Sequence, residues 1–161
     1  MTSHNKHFNN KQAAAVLKHA LLENYLMPFA TMTSSHSQGH RVWYIDAYAG
    51  PGTYEHKAGE SKGAPGSPLI ALGISRKLSK FARPLNLRCL FIEKNIKFAK
   101  SLEAIVRAGN FPGEPSVLRG SAESRLPEAI QCVGNDPLLT FLDPFGTSLP
   151  RALMISTLMQ R

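Results

Sequence analysis

The chain has 161 residues, 43% of them hydrophobic, with 19 Lys and Arg against 11 Asp and Glu. That length and hydrophobic content suit one domain with its own core and call for no second. The formal charge of +8 and pI near 9.8 favour a polyanionic partner such as RNA or DNA. Two cysteines without CxxC spacing, and histidines gathered at positions 4, 7, 19, 36, 40 and 56 without zinc-type spacing, leave no patterned metal centre. No apolar run reaches membrane-spanning length and the N-terminus is too polar for a signal peptide, so a cytoplasmic protein with no membrane partner is expected.

Residues 1–10 are polar and rich in Asn and His, and are expected to fray; residues 11–161 form the domain. From Lys11 to Phe29, Leu17, Leu21, Tyr25 and Phe29 recur four apart, which predicts an amphipathic helix with that stripe inward. His19 falls beside the stripe, where a surface position is expected on the residues alone. Thr31 to His40 reads as a loop. Val42 to Ile45 is a β-branched and aromatic run that ends on Asp46 and breaks into Gly50-Pro51-Gly52, a buried strand feeding a turn whose glycines let the backbone approach a ligand. The polar stretch from Thr53 to Gly66 is too long for a plain connection and reads as a binding loop or lid. Ser67-Pro68 predicts a helix start, Ser67 as N-cap and Pro68 as first helical residue, running to about Leu78.

Arg76, Lys77, Lys80, Arg83 and Arg88 follow without an acid between them, a basic cluster suited to phosphates or to a solvated helix end. Leu87 to Glu93 is a second strand, and Asn95 to Arg107 a helix with Phe98, Leu102 and Ile105 inward. Ser116 to Arg119 is a short third strand, with Gly120-Ser121-Ala122 at its tip. Pro127 to Val133 is a short helix opened by proline, Leu138 to Asp143 a fourth strand, and Leu149 to Gln160 a last helix. Cys89, in a strand, and Cys132, near a helix end, are expected as buried free thiols of a reducing compartment.

Strands alternating with helices predict an α/β fold, with a mostly parallel sheet and helices on both faces. The apolar fourth strand would be left as an open edge, so the sheet is expected to be truncated here and completed beyond this sequence or by another chain. Three strands end on acids, Asp46, Glu93 and Asp143, and acids at strand ends of such a sheet line the crevice where ligands bind. The dinucleotide fingerprint lacks its third glycine, and no Walker lysine follows the glycines. A cofactor without phosphates is the better match. S-adenosylmethionine needs close backbone at Gly50 and Gly52, a carboxylate for its ribose hydroxyls at Glu93, and an acid such as Asp46 for its cationic end. Asp143, in Asp143-Pro144-Phe145-Gly146, is then placed to accept a hydrogen bond from an amine being methylated, with Phe145 as a neighbouring aromatic for a base.

Lys18-His19, Tyr44 through Gly52, Pro65 through Ala71, Phe91-Ile92-Glu93 and Phe141 through Gly146 together resemble the three-Cys-motif partner proteins, TcmP. That family is methyltransferase-like, of the Rossmann-like class I fold, and associated with mobile elements and a small cysteine-motif partner; its known members are longer. The same skeleton, with the first motif extended from Tyr44 through Tyr54, is similar to the ribosomal RNA adenine-N6 methyltransferases of the RlmJ type. The likeness implies that His19, Tyr48, Ser67, Glu93, Ser121 and Ala122 line a pocket for S-adenosylmethionine, and that Asp143 is catalytic. Two positions depart from the pattern: Ser121 stands where those relatives carry Asp, and Phe145 and Gly146 occupy the third and fourth places of their Asp-Pro-Pro-Tyr. A methyl transfer to a nucleic-acid base amine is therefore expected, against the alternative of an inactive methyltransferase-fold partner module of a phage or mobile-element system.

Overall fold

A computed structural model describes residues 3–54, 64–143 and 155. Helix α1 (Ser3–Thr33) leads through two short 3-10 turns into strand β1 (Arg41–Asp46). Then come α2 (Ser67–Leu78), β2 (Asn86–Glu93), α3 (Ile96–Gly109), β3 (Ser116–Arg119), α4 (Ala122–Val133) and β4 (Leu138–Phe141). The four strands make one sheet in the order β3-β2-β1-β4, with every pairing parallel. The expected α/β architecture with helices on both faces is present.

Alternation along β1 divides the core. Val42 and Tyr44 point to a cluster with Leu22, Leu26 and Ala30 of α1, Leu72 and Leu78 of α2, and Phe91. Ile45 points the other way, with Leu90, Ile92, and Leu126, Ala129 and Ile130 of α4. Both faces of β1 and β2 are thus covered, which is why their residues read as continuous apolar runs instead of alternating ones. Strand β4 is only partly buried at all four positions and, among the described residues, pairs with β1 alone.

Several local expectations are corrected. Helix α1 is longer than the 11–29 span, and it buries Leu22, Leu26 and Ala30, while Leu17, Leu21 and Tyr25 stand 62, 60 and 62% exposed. Of the residues expected inward on α3, Leu102 is buried and Phe98 points outward. Helix α4 begins at Ala122, five residues before the proline taken as its opening. Ser121 caps it by accepting from the Ser124 amide, and Pro127 sits inside the helix. Cys89 is buried as expected, but Cys132 is exposed. The helix expected over 149–160 lies outside the described residues, save Ile155, which is helical.

Candidate functional site

In this strand order the chain steps from β1 to β2 to β3, then returns past β1 to β4. The reversal places a topological switch point between β1 and β4, and the crevice outside the carboxyl ends there is where open α/β sheets take ligands. Asp46 ends β1, in register with Phe91 on β2 and Phe141 on β4. Glu93 and Asp143 each stand two residues beyond those partners, so all three acids reach the same rim of the sheet. The Ala47 amide donates to the Phe141 carbonyl at 3.1 Å, and that of Ala49 to Ile92 at 3.0 Å, stitching the turn after β1 to both neighbouring strands.

Asp46 is fully buried. One of its oxygens accepts the Tyr48 amide at 3.1 Å, an Asx-type turn, and the other accepts the Ser67 hydroxyl at 2.6 Å, with the Tyr44 hydroxyl at 3.5 Å. Burial pushes its carboxyl up to about 6, the Ser67, Tyr48 and Tyr44 donors hold it down, and the charge of Asp143 pushes it up again. The same burial, with the Asp46 charge behind it, raises the phenol of Tyr44 and the thiol of Cys89. Ser67 is not the helix cap: Gly66 occupies that position, and the Ser67 hydroxyl goes to the carboxylate, a charge-assisted bond stronger than one to a helix amide.

Glu93 braces the glycine turn. One oxygen accepts the Gly50 amide at 2.7 Å and the other the Asn95 amide at 2.6 Å, leaving the residue 7% exposed. Each carboxylate oxygen keeps a second lone pair, so ribose hydroxyls would share it with the loop. Gly50 has φ +67° and Gly52 φ +89°, the left-handed region that favours glycine. Among the described residues a Cβ at Gly50 would meet nothing within 4 Å, whereas one at Gly52 would press on Leu102 and Ile105 at 3.1 and 3.2 Å. Gly50→Ala is accordingly expected to cost about 1–2 kcal/mol in a urea melt, from backbone strain without a clash; an unchanged midpoint would contradict the turn geometry.

His19, half-buried on α1, feels the charge of Asp143. Burial lowers its imidazole below the ordinary value, with Glu23 and then Asp143 opposing, so at neutral pH the ring is neutral. Tyr54, the last residue of the motif that begins at Tyr44, completes this side. The Tyr54 hydroxyl lies 3.4 Å from His19 Nε2, with the ring centroids 5.6 Å apart.

No family model, characterised protein or solved structure matches the chain in such comparisons. The geometry therefore has to speak through its own residues. It gathers Asp46, Ser67, His19 and Asp143 around the switch point and joins Glu93 to them through Gly50. It does not bring in the Tyr48 ring, which packs on the α4 side, where burial and the Glu123 charge raise its phenol, nor Ala122, which is buried in the α4 cluster. Ser121 spends its hydroxyl on the α4 cap, although Gly120 beside it donates to the Glu93 carbonyl at 3.1 Å. Phe145 lies outside the described residues, as does most of the stretch from Thr53 to Gly66.

A cavity of about 350 Å³ is found at the opposite pole, under the start of β2, lined by Leu85, Leu87, Pro84 and Pro112 among others. It is far along the strands from the acids, and its lining holds no ionisable group to do chemistry. Among the described residues there is no cluster of three metal-ligating side chains, and no helix is long and apolar enough to cross a membrane.

Proposed function

We propose that this chain binds S-adenosylmethionine at the carboxyl rim of β1 and β2 and transfers its methyl group to a nucleic-acid base amine at Asp143. The reading takes it as a methyltransferase-like domain of the three-Cys-motif partner type. The observation that carries it is the placement of Asp46 and Asp143 at the carboxyl ends of the two strands that flank the β1/β4 switch point, beside the glycine turn at Gly50. The cofactor supplies an electrophilic methyl group. Gly50 and Gly52 would let the adenosyl moiety approach the backbone, with Glu93 at its ribose and Asp46 lending negative charge to its cationic end. Asp143 would accept a hydrogen bond from the acceptor amine, orient it and stabilise the positive charge that grows on nitrogen; as the N–C bond forms the methyl–sulfur bond would break, S-adenosylhomocysteine leaving as the neutral thioether and the surplus amine proton passing to solvent. The net charge of +8 supports a polyanionic substrate.

Titration calorimetry with S-adenosylhomocysteine tests the cofactor half. The wild-type protein is expected to bind, and Glu93→Gln, checked for folding by circular dichroism, to bind about tenfold or more weakly, which is ~1.4 kcal/mol. Absence of binding to folded wild-type protein, or equal binding by the variant, rejects it. One observation favours the second reading, a non-enzymatic partner module. Asp46 and Glu93 are already met by the protein's own donors on both oxygens, as they would be if their task were to brace the loop. That reading expects no heat with the cofactor product, and stability losses on substitution all the same.

A further inference from the structure

Tyr44 and Phe91 are fully buried in the core, whereas Tyr25, Tyr54, Phe81 and Phe98 are exposed. Tyr54, 46% exposed, follows the glycine turn at the rim that carries the acids. Its backbone is fixed on both sides. The Tyr54 amide donates to the Ala64 carbonyl at 2.9 Å, Thr53 forms an antiparallel bridge with Pro65, and the Gly66 amide donates to Gly52 at 2.8 Å. The approach of these two segments is so close that a Cβ on Gly66 would lie 3.1 Å from the Gly52 carbonyl oxygen. The ring is fixed as well, since its hydroxyl and its tilted face both meet His19, on a helix anchored to the core by Leu22 and Leu26. His19 in turn lies within the field of Asp143. A half-exposed aromatic thus stands on the α1 side of the rim that carries Asp46, Glu93 and Asp143.

We propose that Tyr54, braced by His19, is the platform on which the methyl acceptor stacks, and that the acceptor is an unpaired base of a single strand. The proposal rests on the methyl-transfer reading and narrows its substrate. Stacking suits a tyrosine here because its flat face offers contact with only two torsions to order, and because every base has a π-face, so such a platform tolerates sequence. A base still paired in a duplex cannot lay its face on Tyr54 without first being flipped out. The hydroxyl bond to His19 stops the ring from swinging and so fixes the plane in which the amine meets Asp143. Tyr54 is in these terms a positioning residue for the acceptor and takes no proton.

A single-stranded DNA oligonucleotide carrying one 2-aminopurine tests this directly, because that base loses fluorescence when it stacks. Wild-type protein is expected to quench it, and the same oligonucleotide annealed to its complement is expected to bind more weakly. Tyr54→Phe keeps the ring and is expected to bind within about threefold of wild type, while Tyr54→Leu binds about tenfold or more weakly with quenching gone. Calorimetry with S-adenosylhomocysteine is run on the same three proteins and is expected to give equal affinities. Equal quenching by Tyr54→Leu, or no quenching by wild type, overturns the platform while leaving cofactor binding to stand on its own measurement. Loss of cofactor binding in Tyr54→Leu also overturns it, by assigning the ring to the cofactor. Absence of cofactor binding in all three proteins, with quenching intact, removes the methyl-transfer reading and leaves a stacking site.

Discussion

Asp46→Asn is expected to stabilise the fold at neutral pH and to leave it unchanged near pH 4. The folded carboxyl is raised from 3.8 to about 6, so between those values the native state holds a proton that the unfolded chain has released. Where the native state binds more protons, stability falls as pH rises; the loss begins near pH 4, is complete a little above pH 6, and persists at higher pH. One pKa unit corresponds to about 1.36 kcal/mol, so the ionised Asp46 costs the fold about 3 kcal/mol at pH 7.5. Asparagine is neutral, of the same shape, and can accept the Tyr48 amide while its own amide donates to Ser67. Urea melts at pH 7.5 and pH 4 decide the matter: a gain of about 2–3 kcal/mol at the higher pH alone is the expected result. An equal shift at both, or a loss at pH 7.5, would mean that ionisation of Asp46 is not what the fold is resisting. A carboxylate kept in place against its own fold is characteristic of binding and catalytic sites, although structural networks perturb carboxyls too.

The second large effect concerns which face of α1 meets the sheet. Leu26 is fully buried between α1 and the α2 side of the core, and Leu26→Ala is expected to cost about 2–5 kcal/mol, by lost transfer energy plus the cavity left behind. Leu21→Ala, five residues earlier on the same helix, removes the same atoms from a side chain that is 60% exposed, and is expected to change stability by no more than about 0.5 kcal/mol. Parallel urea melts of the two variants give the contrast. A Leu21 variant as damaging as the Leu26 variant would show that the outer stripe is covered in solution.

That pair also shows what could be read before any coordinates. The strands were legible because Val42 to Ile45, Leu87 to Ile92 and Leu138 to Leu142 are mostly apolar, broken only by Arg88 and Thr140, and each run stops at an acid. The inward face of α1 was not, because the helix carries apolar residues in two stripes one position apart. Spacing four apart fits Leu17, Leu21 and Tyr25 as well as Leu22, Leu26 and Ala30, and only packing against α2 and β1 chooses the narrower stripe. The start of α4 was missed for a related reason. Pro127 advertises a first turn, while the capping signal was the quieter Ser121 three residues before Ser124.

At the rim, the positions of Asp46, Glu93 and Asp143 followed from the strand ends, but their occupations did not. Ser67 gives its hydroxyl to a carboxylate 21 residues earlier in the chain, and Glu93 gives its oxygens to the amides of Gly50 and Asn95. These are choices between local and distant partners, and a linear pattern contains no term for the distant one. Tyr54 closes the motif that runs from Tyr44, but its contact with His19, 35 residues before it, is no part of that pattern.

The strand order has a kinetic consequence. The β1–β2 pairing joins Arg41 to Asn86, whereas the β1–β4 pairing joins Trp43 to Leu138, closing a loop about twice as long. Longer closures cost more entropy before any contact repays them, and during synthesis the N-terminal elements leave the ribosome first. The half of the rim built from Asp46, Gly50 and Glu93 thus rests on the shorter closure, and the strand that delivers Asp143 on the longer and entropically costlier one.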